Sequence, residues 1–195
     1  AGSSLFSPTS GAQRAFLYTG IPGTDGVMHD LGTLGGTSSR ATAVNDFDQL
    51  TGNAGIAVGS TTAHAFRYTG GLPGSGGTMQ DLGTLGGLTS RGYGINASGQ
   101  VVGDSQITGG AVTTFHAFFY TGTPGVDGVM TDLGPRGGPN SDARAISKLG
   151  LVVGTSDVPA GGVHAYLWQG GVMTDLGTLG GNRSDAYGIN DAGQV

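Results

Sequence analysis

Aspartate and histidine recur in this chain at matched places. Asp30, Asp81, Asp132 and Asp175 each open a stretch reading DLGTLGG or a close variant, and His64, His116 and His164 each stand at the head of HAFRY, HAFFY or HAYLW. Carboxylates and imidazoles are the side chains that move protons and hold metal ions, so both uses must be weighed. Four equivalent aspartates converging on a ring axis would supply the several oxygen ligands that Ca²⁺ takes. The competing reading is that each carboxylate accepts backbone N–H groups of the turn that follows it, because a loop so rich in glycine needs something to hold it. The histidines would bind a metal only if all faced one axis, about 2 Å from one ion. Packing against the next strand, with a ring N–H donated to a carbonyl, is the reading preferred for them.

Signatures of catalysis are sparse. Glutamate is absent, and neither G-x-S-x-G nor H-E-x-x-H occurs. Asp, His and Ser coexist only as repeated elements, whereas an enzyme breaks symmetry at its site. The chain therefore reads as non-enzymatic, with no cofactor apart from the calcium alternative. Two glycosylation sequons occur, Asn96-Ala97-Ser98 and Asn182-Arg183-Ser184. Asn96 also opens a turn, which leaves Asn182 as the better acceptor.

These residues belong to a spine of 20 residues that recurs four times without insertion, starting at Asp30, Asp81, Asp132 and Asp175. Such repetition signals a propeller or solenoid. Each unit offers four short β-like runs. The first is RAFLY, HAFRY, HAFFY or HAYLW, in which the aromatics alternate with Ala and suit a core face. The second is VMHDL, TMQDL or VMTDL. The third is RATAV, RGYGI, DARAI or DAYGI, where small residues at two positions let another strand or sheet approach closely. The fourth is QLTG, QVVG or LVVG, reached through a turn such as Asn96–Gln100 in which Asn starts the turn and Gly99 supplies positive φ. Gly86 and Gly87 form a doublet repeated in every unit.

The expected fold is therefore all-β: four tandem four-stranded repeats, propeller-like, with a linear array of repeats as the alternative. The units run over about 1–50, 51–101, 102–152 and 153–195, and the chain's two ends complement each other. Gln194-Val195 joined to Ala1-Gly2-Ser3 reproduces the QVVGD of Gln100–Asp104, so residues 1–4 are expected to complete the last repeat. Within one molecule this closes a ring through a split blade. Between molecules it is strand donation, which builds a filament when it does not close. Length varies only in the loops flanking the first run, which places adaptable surface there, suited to a glycan or protein ligand.

Together HAF-Y-TG, M-DLGTLGG, S-A-GIN and GQVVG resemble the bacterial extracellular repeat named for its His-Ala-Phe signature, over the whole chain. Kelch-like propeller blades are similar at the level of fold. The third copy departs at Pro135-Arg136 and Ala145-Ile146-Ser147, the first at Arg14 and Ala43-Val44-Asn45. The resemblance implies a secreted or surface location and carries no catalytic residues. Composition agrees with a polar, turn-rich β protein: Gly is 42 of 195 residues and charged residues are 11%. Net charge is −5 with eight scattered basic residues, so no stripe awaits a nucleic acid. No apolar run approaches the ~20 residues of a membrane helix, and the absence of cysteine rules out disulfides and thiolate-held zinc. The function expected is a secreted structural or assembly protein, with a binding module as the alternative.

Overall fold

The computed structural model describes residues 1–6, 11–72, 75–109, 111 and 113–195. Parts of the variable loops, at 73–74, 110 and 112, lie outside them. Every regular element is a strand, as the glycine spacing requires, since each interior Gly costs a helix about 1 kcal/mol. The first sheet holds β1 (Gly2–Leu5), β2 (Gln13–Thr19) and β3 (Val27–Asp30). The second holds β4 (Ser39–Val44), β5 (Leu50–Gly55), β6 (Ala63–Thr69) and β7 (Thr78–Asp81). The third holds β8 (Gly86–Ile95), β9 (Val101–Ile107), β10 (Phe115–Thr121) and β11 (Val129–Asp132). The fourth holds β12 (Ser141–Ile146), β13 (Val152–Asp157), β14 (Val163–Gln169) and β15 (Val172–Gly177). All are antiparallel meanders in sequence order; the last three are built from the third run of one unit followed by the fourth, first and second runs, and the first holds the fourth, first and second runs alone. Each sheet is thus offset from the sequence period and begins inside the conserved spine.

The sheets pack face to face in order. Phe66 and Tyr68 of β6 are buried against Ala15 and Leu17 of the first sheet, while Ala65, just before Phe66, faces Val101 and Phe118 of the third. Strand alternation thus gives each inner sheet two buried faces, with aromatics on one and small residues on the other. Val102 and Tyr166 join the third sheet to the fourth in the same way. Burying each such aromatic contributes on the order of 2–3 kcal/mol. The small third-run residues do what their size suggests: a Cβ on Gly92 would lie 2.1 Å from the Thr51 hydroxyl.

β4, β8 and β12 each carry a bulge three residues after Ser39, Ser90 or Ser141, seen as a register shift across Ala41/Ala43, Gly92/Gly94 and Ala143/Ala145. The bulged residues Thr42, Tyr93 and Arg144 turn out of the ladder. Thr42 uses this to donate its hydroxyl to Gly92 O at 2.7 Å, which ties neighbouring first strands together.

The expected ring is not closed. Among the described residues the first sheet has three strands, and β1 is paired only with β2. The run 185–189, the fourth copy of the third run, belongs to no strand. It packs instead on the fourth sheet, where Ala186 is buried among Val153 and Ala165. Four β repeats are therefore present in an open arrangement. No helix among the described residues is long and apolar enough to cross a membrane.

Candidate functional site

The four aspartates lie in the last strand of four different sheets, the edge away from the bulged first strands, so they do not converge. Each accepts the N–H two residues on: Gly32 to Asp30 at 2.8 Å, and Gly83, Gly134 and Gly177 to Asp81, Asp132 and Asp175 at 2.7 Å. The other role of three of them was not legible in the sequence. His64, His116 and His164 place Nδ1 2.9–3.1 Å from both oxygens of Asp81, Asp132 and Asp175. The histidine partner is thus a carboxylate, where a backbone carbonyl was expected. Register explains it: Phe66 stands opposite Asp81, and His64 is the diagonal neighbour on the same face. In the first copy Arg14 replaces the histidine and stacks on the Phe6 ring at 4.6 Å. His29 instead bonds the Thr19 hydroxyl at 2.8 Å. Among the described residues no three His, Asp or Glu side chains are grouped to hold a metal.

A serine that heads the third run makes the most regular contact in the molecule. Ser39 and Ser141 head β4 and β12, Ser90 is the fifth residue of β8, and each bridges to the preceding sheet. Ser90 Oγ accepts the Ala65 N–H at 2.8 Å and donates to Gly83 O. Ser39 joins Ala15 N–H to Gly32 O, and Ser141 joins Ala117 N–H to Gly134 O, in the same way. Ser184 repeats it on Ala165 N–H at 2.9 Å and Gly177 O at 2.6 Å, although among the described residues it heads no strand.

The turns after the third run meet at one end of the stack. Asn45, Asn96, Ser147 and Asn190, with Asp46, Lys148 and Asp191, line one concavity of about 490 Å³. Asn45 Nδ2 donates to Asn96 O at 2.8 Å, and Asn96 Nδ2 to Ser147 O at 3.1 Å, so successive turns are laced together. Lys148 continues the series to Asp191 through its N–H at 3.0 Å and its ammonium at 3.1 Å. Asn96 is buried, with its amide hydrogens shared between Ser147 O and Gln100 Oε1 and its Oδ1 receiving two N–H groups, which leaves no room for a glycan. Asn182 is exposed. Gly99 has φ 71°, as the turn requires, and Asp48 holds the matching place in the first copy at φ 55°. Gly86 and Gly87 begin β8, and a Cβ on Gly87 would meet Gln106 Cβ at 2.3 Å.

Between the third and fourth sheets lies a polar cleft of about 200 Å³ lined by Arg91, Asp104, Phe115, Asn140, Asp142 and Asp157, among others. Arg91 forks onto Asp104 at 2.8 and 2.9 Å and stacks on Phe115 at 4.8 Å. Burial raises the Asp104 carboxyl despite this bond, and burial with the Asp104 charge pushes the Tyr93 phenol up to about 12. Arg91 follows a bridging serine, at the place held by Arg40, Asp142 and Asp185 in the other copies. That alternation of charge at one position was the signal available in the sequence. The arrangement is a self-satisfied ion pair that fixes β8 to β9.

No protein-family model, curated protein or solved structure matches this chain.

Proposed function

We propose that this chain is a non-enzymatic structural repeat protein of the cell exterior, whose work is to build an extended scaffold from stacked sheets. The observation that carries this reading is the serine bridge, made at Ser39, Ser90 and Ser141 between sheets and once more at Ser184 beyond the last sheet. A contact that is chemically the same at every step is how quasi-one-dimensional proteins extend, each unit needing only its neighbours. The resemblance of HAF-Y-TG, M-DLGTLGG and GQVVG to the extracellular His-Ala-Phe repeat supports the location, as does the low density of charge. The test is gold-labelled antibody against the chain on intact source cells and on thin sections. Label on a surface layer or on extracellular fibres is expected; label confined to the cytoplasm overturns the reading.

A second reading is a binding module, favoured by the concavity that all four repeats line at their turns. Its polar rim of Asn, Asp and Lys suits the hydroxyls of a glycan. On that reading a panel of immobilised oligosaccharides captures the chain, and Lys148→Ala with Asp191→Ala abolishes capture. Capture unchanged by both substitutions would remove the concavity from the account.

A further inference from the structure

We propose that the cleft reaching from the second sheet to the third binds a carboxylate-bearing saccharide, a uronic acid unit of an acidic polysaccharide, through Arg40. The site is separate from the turn concavity, and it goes beyond the scaffold reading by giving the chain a partner of stated chemistry.

Two clefts of the same construction lie between neighbouring sheets, one between the third and fourth and one reaching from the second to the third. Each is built around a guanidinium that follows a bridging serine, Arg91 in one and Arg40 in the other. In the first cleft the charge is answered within the chain. Arg91 stands opposite Asp104 in the ladder, forks onto its carboxylate at 2.8 and 2.9 Å, and stacks on the Phe115 ring. Asp142 and Asp157 line the opposite wall, and Asn140 donates to Asp157 from its backbone and its side chain at 3.0 and 3.1 Å. The polar groups there are used up on one another.

The other cleft repeats this frame without the answering groups. Arg40 stands opposite Asn53, so a neutral amide holds the ladder position that Asp104 holds in the third sheet. Arg40 is exposed and, among the described residues, meets neither a carboxylate nor an aromatic ring. Gly55 pairs with Ala63 as Gln106 pairs with Phe115, so one methyl stands where the third sheet has an amide side chain and a ring. The space is larger in consequence, about 600 Å³ against about 200 Å³. Among the described residues no aspartate lines it, in a chain whose net charge is −5. Arg91 reaches the cleft from the third sheet but brings Asp104 with it, and the pair adds no net charge. One uncompensated guanidinium remains.

That charge and its surroundings select the ligand. A guanidinium presents a planar fork that a carboxylate fills with two parallel hydrogen bonds. A single positive charge is balanced by a carboxylate, whereas a phosphate monoester carries up to about two negative charges. The walls beside Arg40 carry the hydroxyls of Thr37, Ser38, Ser60, Thr61 and Thr62, which donate to and accept from sugar hydroxyls. No lining side chain among the described residues is aromatic, and Ala63 is the one apolar side chain present, so an apolar peptide residue would find nothing to bury against. The volume lies within the ~300–1,000 Å³ of small-molecule sites. The groove runs from Gln13 of the first sheet past Arg40 to Arg91 of the third, a course that suits a polymer lying across the sheets.

The test is calorimetric titration of the purified chain at low salt with an oligogalacturonate and with its methyl ester, which keeps the sugar and removes the charge. The acid is expected to bind, and the ester to bind at least about tenfold more weakly. Arg40→Gln is expected to weaken binding of the acid by about tenfold or more, with the thermal melt unchanged because the side chain is exposed. Ala63→Phe, which rebuilds the ring that fills the neighbouring cleft, is expected to abolish binding. Lys148→Ala, in the turn concavity, is expected to leave it unchanged. Equal affinity for acid and ester, full affinity in Arg40→Gln, or loss of binding in Lys148→Ala would each overturn the proposal. So would the absence of binding at millimolar oligosaccharide. Binding is read on the purified chain and surface labelling on the source cells, so failure of this site and failure of the scaffold reading are told apart.

Discussion

Ser90 is fully buried and makes two bonds that no neighbouring group can replace: Ala65 N–H loses its acceptor and Gly83 O its donor when the hydroxyl goes. Ser90→Ala is therefore expected to cost about 2–4 kcal/mol, the penalty of two stranded buried groups, read as a fall in the urea midpoint at constant m-value. Asp48 is the one described non-glycine residue with positive φ, and Asp48→Gly relieves about 1 kcal/mol of backbone strain, seen as a raised midpoint. Asp175 gives the pH dependence. The Gly177 N–H first, and the His164 ring second, hold its carboxyl below the ordinary range. Its contribution is complete above the unfolded value, near ~3.9, and is lost as pH falls through the lowered native value. Asp175→Asn should flatten the acid limb of the stability curve, and an unchanged limb would contradict this. The backbone role of these aspartates was legible because a carboxylate before a glycine turn has few other uses. Their histidine partners were not, because the two residues are 17, 16 and 11 apart in sequence and meet only once the strand register is known.

All four kinds of strand could be read from the alternation of aromatic, small and polar residues, and each appears where the runs predict except the last copy of the third run, at 185–189, which is not a strand. What the pattern hid was the order of grouping. The sequence repeat invites a cut before the fourth run, while the structure starts each sheet one run earlier, because the serine bridge and the bulge fix the third run as the first strand of the sheet that follows. Gly103→Ala drives a methyl to 1.8 Å from Arg91 O and is expected to cost about 3 kcal/mol or more. A thermal melt of the variant measures the loss; a melt equal to that of the parent chain would contradict the close approach of β8 to β9.

At the scale of the molecule, four repeats wind about one axis and stop short of a ring. The expected completion of the last repeat by residues 1–4 is not what the structure shows, since β1 pairs with β2 in the first sheet. Whether the repeats close into a ring is not written in local patterns, because it depends on small rotations summed over every sheet-to-sheet step. The serine bridge is the same at each step between sheets, which is the property by which a stacked scaffold extends. Electron microscopy of the purified chain across a range of concentrations tests this most directly. The account predicts elongated particles that lengthen with concentration. Uniform compact particles of one 19.2 kDa chain at every concentration would contradict it.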